Sequence, residues 1–328
     1  MAEHRLPGFV PPPWLSSGHA QTLVVPAFRA PAGDPGARVQ IPVDGGTLVG
    51  RLDRAECTAG HHRRAALVLH GLNGSADEGF VVRTGRKLAT RGIDALRLSL
   101  RGAGESRGCT PPMFHSGLTD DVRRAVAWLA ARYDRVGMAG FSLGGQLVLR
   151  TLGEWGADAP AEVRVAVTVS APLDLARTAD FSNTVEASPY RWYVVHGLRT
   201  RYAALRGVLP AAIARAGVDG VRTIRGYDDR VVAPLHGFTD AADYYARCSA
   251  AAVLGEVVVP TVVIHAEDDP LVPVGPVEAA RATASARVRF VVTRRGGHVG
   301  YLAARCLAGD PDRFWAENRI AAILDAVL

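Results

Sequence analysis

Gly140-Phe141-Ser142-Leu143-Gly144 sets a serine between glycines two residues to either side. An apolar run, Arg135–Ala139, precedes it, and a helical pattern, Gly144–Leu152, follows. A serine on such a strand-to-helix turn can act as a nucleophile, because the turn lifts its hydroxyl off the sheet and aims a helix N-terminus at it. The turn is strained and tight, which is why Gly140 and Gly144 flank it: a Cβ at either position would clash. A serine needs a base, and the base needs a carboxylate to orient it. Thr261–Ile264 has the pattern of a strand and runs into Glu267-Asp268-Asp269-Pro270; the last strand, Val288–Thr293, runs into Gly296-Gly297-His298-Val299-Gly300. His298 is the only histidine after these aspartates. Asp269 is preferred as the acid for its spacing to Pro273, with Asp268 the alternative. The chemistry of Ser142, His298 and Asp269 is nucleophilic attack on a carbonyl through a covalent acyl-serine.

Such an attack creates an oxyanion that fixed N–H groups must meet. Leu143, next after the serine, offers one. The loop after the apolar run Ala65–Leu69, His70-Gly71-Leu72-Asn73-Gly74, offers the other through the Leu72 N–H. His70 precedes the serine, and the chain order assigns it to bracing this loop rather than to the base. A second match to the serine pattern, Gly104-Glu105-Ser106-Arg107-Gly108, is trailed by Cys109-Thr110-Pro111-Pro112, which cannot begin a helix, so Ser106 is read as a polar turn residue. A metal site built from His265, Glu267 and the aspartates lacks a second ligand cluster; neither metal nor cofactor is expected.

The elements that must carry these groups alternate. Strands are predicted over Arg38–Val43, Thr47–Leu52, Ala65–Leu69, Ala95–Ser99, Arg135–Ala139, Arg164–Val169, Thr261–Ile264 and Val288–Thr293. Helices are predicted over Phe80–Thr90, Leu118–Arg132, Gly144–Leu152 and Arg313–Leu328. Short strands apolar on both faces and alternating with helices imply an α/β fold with a mostly parallel central sheet covered on both sides. Residues 1–37, rich in Pro and Gly, are expected to form an irregular arm. Residues 38–170 and 257–328 form the core. Residues 171–256, where the alternation breaks down, form a mainly helical cap insertion, whose Trp192, Tyr193, Tyr202, Tyr244 and Tyr245 either build its core or line an apolar pocket.

The chain has 328 residues, 48% of them hydrophobic and 21% charged, ample for a large core. Its net charge of +6 comes from 37 Arg and a single Lys87 scattered along the chain, without the clustered basic stripe of a nucleic-acid binder. No apolar run is long enough for a membrane span. The start, Met1-Ala2-Glu3-His4-Arg5, does not have the pattern of a signal peptide, so a cytoplasmic location is expected. Cys57, Cys109, Cys248 and Cys306 are widely spaced, with no Cys-x-x-Cys pair.

Further segments complete a familiar combination: Ser17-Gly18-His19-Ala20-Gln21-Thr22, Arg101-Gly102-Ala103-Gly104-Glu105-Ser106, Phe114-His115-Ser116-Gly117-Leu118-Thr119-Asp120-Asp121 and Tyr227–Phe238. With His70–Gly74, the serine turn, His265–Pro270 and Gly296–Gly300, they resemble the YheT-like branch of the α/β-hydrolases, known in plants as embryogenesis-associated proteins and in animals as lipid-handling hydrolase-domain proteins. The resemblance covers most of the chain. It implies hydrolysis of carboxylic esters, with medium-chain acyl esters or phospholipids as substrates of members and acyl transfer to alcohols in some. The animal relatives' N-terminal membrane anchor is not expected here, and Ala103 stands where the family often has Cys. A small-molecule ester of short- to medium-chain acids is the expected substrate. The alternatives are an alcohol acyltransferase using the same triad, and a binding protein on the same fold without turnover. Within the shared motifs, His19 is expected to pack or cap rather than line a pocket. His115 and Asp120 are expected to cap the helix that follows them, and the acidic pair Asp228-Asp229 to pair with nearby arginines.

Overall fold

The computed structural model describes residues 6–28, 30, 32–55, 63–109 and 113–328. The readings made on Met1–Arg5, Cys57 and Thr110–Pro112 lie outside these residues.

Eight strands form one sheet: β1 (Ala37–Val43), β2 (Gly46–Asp53), β3 (Arg64–Leu69), β4 (Asp94–Leu98), β5 (Arg135–Phe141), β6 (Val163–Val169), β7 (Thr261–Ala266) and β8 (Val288–Thr293). They lie in the order β1-β2-β4-β3-β5-β6-β7-β8; β1 and β2 pair antiparallel, and every pair from β4 to β8 is parallel. The period of two along β3 shows why its run is apolar throughout. Ala65, Leu67 and Leu69 enter one core, while Ala66 and Val68 enter the other, on the opposite face.

Twelve α-helices are described. One lies in the arm, α1 (Gly18–Val24), and three follow strands of the sheet: α2 (Gly79–Ala89), α3 (Thr119–Ala130) and α4 (Leu143–Trp155). The first face is covered by α3 and α4, through Val122, Val126 and Leu129 and through Leu147, Val148 and Leu152. Between β6 and β7 run α5 (Leu175–Phe181), α6 (Ser188–Leu205), α7 (Ala211–Ala216), α8 (Ile224–Tyr227), α9 (Ala233–His236) and α10 (Ala241–Cys248), which share a third apolar cluster. Both ends of this segment belong to the sheet instead: Ala171, Leu173, Ala250 and Leu254 pack in the first core. The chain closes with α11 (Gly275–Ala280) and α12 (Trp315–Val327). With α2, α12 covers the second face through Val81, Leu88, Ile320 and Leu324.

The N-terminal arm departs from the irregular reading. Ser17 caps α1 by accepting the Ala20 N–H at 3.1 Å, and short 3-10 turns flank the helix at Pro13–Leu15 and Val25–Ala27. Proline and glycine dominate its flanks and hide a helix of only seven residues. No described helix is long and apolar enough to cross a membrane.

Candidate active site

The strand order reverses around β3. That strand lies between β4 and β5, so the loops leaving its end and the end of β5 sit side by side, at the switch point where ligands of open α/β sheets bind. Leu69 pairs with Gly140, which brings His70–Gly74 against the turn at Ser142. A Cβ built on Gly71 would lie 3.1 Å from Ser142 Cβ.

Ser142 links β5 directly to α4 with φ 51° and ψ −120°, a conformation L-residues rarely adopt. The flanking glycines are required by contact. A Cβ at Gly140 would come within 2.4 Å of the Gly144 carbonyl oxygen, and one at Gly144 within 2.5 Å of the His70 carbonyl oxygen. The Leu143 N–H opens α4, where no preceding turn supplies an acceptor.

Ser142 Oγ is 3.0 Å from His298 Nε2. On the ring's other side, His298 Nδ1 is 2.9 Å from Asp269 Oδ2 and 3.2 Å from Oδ1. Asp269 is buried; its Oδ1 also accepts the Leu271 and Val272 N–H groups at 2.9 and 3.0 Å, which fix the carboxylate in its turn. Burial pushes the Asp269 pKa up. The His298 charge and hydrogen bond, with help from His265 and the Val272 N–H, outweigh burial and hold it below the usual carboxylate value. Asp268 turns away from the ring. Its Oδ1 accepts the Gly297 N–H at 3.0 Å and Arg295 lies 3.7 Å from Oδ2, so it shapes the histidine loop instead of touching the histidine. His265 is buried beneath this turn and bonds the Val272 carbonyl through Nε2 at 3.1 Å.

His70 is fully buried between the Gly71 carbonyl, 2.7 Å from Nδ1, and the Leu100 N–H, 3.0 Å from Nε2. Burial lowers its pKa to about 4, so it is neutral at pH 7 and accepts through Nε2. Ser106 is equally buried, with its hydroxyl donating to Ser99 O and accepting from Val49 N–H, both at 2.8 Å.

Several groups that hold the site were not singled out from the sequence. Thr22 Oγ1 accepts the His298 backbone N–H at 2.8 Å while donating to Gly18 O at 2.7 Å. Buried Gln21 clamps Leu302, accepting its N–H at 2.8 Å and donating to its carbonyl at 3.1 Å. Ser170, with φ 54°, follows β6 and accepts the Val299 N–H at 3.2 Å. For Gln21 and Thr22 the signal was the Ser17–Thr22 motif itself, whose glycine permits close approach: a Cβ on Gly18 would sit 1.8 Å from the Asp268 carbonyl oxygen.

A cavity of about 700 Å³ opens over Ser142 and His298, walled by the 70–74 loop on one side and α5, α6, α8 and α10 on the other. Three expectations are corrected here. His19 lines the cavity, with Nδ1 2.8 Å from the Tyr190 hydroxyl and Nε2 3.5 Å from Glu186. His115 and Asp120 do not cap α3. His115 accepts the Gly117 N–H and lies tilted against His236 with ring centroids 4.2 Å apart, while Asp120 is exposed beside Arg123. Asp228 and Asp229 pair with no arginine among the described residues: Asp228 accepts the Tyr245 hydroxyl at 2.6 Å at the cavity wall, and Asp229 accepts the Ala241 N–H at 2.7 Å. Tyr244 and Tyr245 serve both the helical cluster and the cavity wall, Trp192 and Tyr193 are largely exposed at the cavity, and Tyr202 is buried in the cluster.

A mostly parallel sheet with a strained serine turn after its central strands defines the class of the α/β-hydrolases. Residues 66–317 match the model of the alpha/beta hydrolase family, and the chain belongs to that family. It is similar to YheT of Escherichia coli, 29% identical with 95% of this chain and 91% of that one covered. It is also similar to slr0264 of Synechocystis, 27% identical with 97% and 95% covered. Both are named as candidate esterases, in keeping with the YheT-like resemblance. The monoacylglycerol lipase of Saccharomyces cerevisiae is 27% identical over 73% of this chain and 55% of its own. Among solved structures, the Pyrococcus furiosus esterase Pf2001 shares the fold with a TM-score of 0.57 at 17% identity, covering 92% of this chain and 98% of that one.

Proposed function

We propose that this protein hydrolyses carboxylic esters of short- to medium-chain acids, with Ser142 as nucleophile, His298 as general base and Asp269 as the acid that orients it. The observation that carries the reading is the unbroken relay from Ser142 Oγ through His298 to Asp269, at 3.0 and 2.9 Å. His298 Nδ1–H donates to Asp269, which leaves Nε2 free to take the serine proton as Oγ attacks the ester carbonyl. The N–H groups of Leu72 and Leu143 receive the oxyanion. His298 then gives its proton to the leaving alcohol, and a water that it deprotonates releases the acid from the acyl-Ser142. Helices α5 to α10 act as a cap whose apolar wall holds the acyl chain.

A fluorophosphonate probe tests this on the wild type, Ser142→Ala and Ser106→Ala, with the adduct located by peptide mass. Label on Ser142, absent only from Ser142→Ala, is expected. A folded wild type that takes no label refutes the activated serine. The same preparations with added ethanol separate hydrolysis from acyl transfer by the share of new ethyl ester formed.

A further inference from the structure

Six basic side chains are buried among the described residues: Arg83, Lys87, Arg97, Arg101, Arg201 and Arg319. Five of them meet a carboxylate. Arg83 and Lys87 share Glu317, Arg97 is held by Asp53, Arg101 by Asp121 and Arg319 by Asp310. Arg201 is the exception. It is 8% exposed, its Nη1 is buried without a hydrogen-bond partner, and no carboxylate is paired with it among the described residues. Taking a cation out of water without a counterion is costly, and among the described residues the contact that offsets it is a ring contact, with the guanidinium 4.6 Å from the Phe114 centroid.

The place of this side chain gives the cost a meaning. Arg201 lines the cavity that contains Ser142 and His298. It stands on α6 one turn beyond Gly197, where a Cβ would fall 2.2 Å from Asn73 Nδ2, and Asn73 in turn donates to Val194 O at 3.3 Å. The helix therefore rests on the oxyanion loop, and the Arg201 cation is felt at His70. Burial lowers the Arg201 pKa only to about 10, so the guanidinium is charged at pH 7. Three carboxylates line the cavity: Asp228 is engaged by Tyr245 and Glu186 by His19, and Glu78 forms no ion pair with Arg201. A planar fork of N–H donors lining this cavity matches a carboxylate or phosphate in two parallel bonds.

We propose that Arg201 is a specificity-determining residue that binds an anionic group carried by the substrate, so that the preferred esters bear a carboxylate or phosphate in addition to the scissile bond. This rests on the ester-hydrolase reading and narrows its substrate class. Two pairs of esters, each matched except for charge, locate the anion. The p-nitrophenyl ester of pentanoate and the mono-p-nitrophenyl ester of glutarate place it on the acyl part; monobutyrylglycerol and its phosphate monoester place it on the alcohol. In the wild type, kcat/KM for one charged member is expected to exceed that for its neutral twin by about ten- to a hundredfold. Arg201→Met is expected to erase that preference, bringing the ratio of charged to neutral kcat/KM to about one. Arg201→Lys, which keeps charge without the fork, is expected to retain part of the preference and serves if the Met variant does not fold. Neutral turnover with no preference for either anion, or a preference that survives in Arg201→Met, overturns the assignment. If no ester is turned over, the ester-hydrolase reading fails on its own. The anion site is then read by calorimetry with glutarate and with glycerol phosphate on Ser142→Ala, with and without Arg201→Met. Binding lost with the arginine supports the site, and absence of binding to Ser142→Ala overturns it.

Discussion

The base of the proposed relay hangs from the N-terminal arm, and Thr22→Val tests that dependence. Valine matches threonine in shape but lacks the oxygen that accepts the His298 N–H at 2.8 Å. The orphaned donor sits in a half-buried site closed by α1, where loss of a hydrogen bond costs about 1–2 kcal/mol. The loop can recover part of this by shifting until water reaches the N–H. Such a shift moves the imidazole, and the geometry has little slack: Nε2 is already 3.0 Å from Ser142 Oγ, against a working range of about 2.6–3.2 Å for proton transfer. A rise of about 1.4–2.7 kcal/mol in the barrier lowers kcat by about tenfold to a hundredfold.

The assay is kcat and KM on p-nitrophenyl butyrate, beside the rate of fluorophosphonate labelling. Thr22 also borders the cavity, so a KM change alone would report lost wall contact rather than a displaced base. Thr22→Ser restores the acceptor and is expected to stay within about threefold of wild type, as a hydroxyl of the same reach is retained. The reasoning is refuted if Thr22→Val keeps wild-type kcat, or if Thr22→Ser loses as much as Thr22→Val.

Two further outcomes follow from the acid turn and the cavity wall. Asp269→Asn keeps an oxygen for the Leu271 and Val272 N–H groups but favours the wrong histidine tautomer. Its kcat is expected to fall by about 10⁴-fold. Asp268→Asn, which faces the Gly297 N–H, is expected to lose less than about tenfold; steady-state rates in which Asp268 matters more would move the acid to that position. Burial raises the Asp228 pKa to about 7 from an unfolded value near 4, so between these pH values the unfolded chain releases a proton that the folded one keeps. Folding is therefore penalised increasingly as pH rises from 4 to 7, and Asp228→Asn escapes the penalty. In urea titrations the variant is expected to match wild type near pH 4 and to exceed it by a few kcal/mol, on the order of 3–4, at pH 8. A difference that does not grow with pH refutes the buried carboxyl.

What a single sequence displays is local spacing, and the parts of this molecule that depend on local spacing were legible. Strand β3 announces itself because two cores claim alternate residues, and the serine turn because both glycines are forced by contacts within a few residues of Ser142 and the neighbouring strand end. The choice between Asp268 and Asp269 rested on a turn spacing, and only Asp269 reaches the imidazole. The arm obeys a different logic. Gly18 is glycine because of the carbonyl of Asp268, Gln21 is buried because of the backbone of Leu302, and Thr22 matters because of the N–H of His298. Each reason lies some 250 or more positions away, and none leaves a periodic mark. Asp228 and Arg201 were equally silent, since a charge reads as solvated until the fold closes over it. The histidine loop needs support from such a distance because four of its residues, Gly296, Gly297, Val299 and Tyr301, hold positive φ angles that few local contacts would maintain. A loop under that strain keeps one shape only when an outside element pins it, so the short helix within what read as an irregular arm is the part of the chain on which the position of His298 depends.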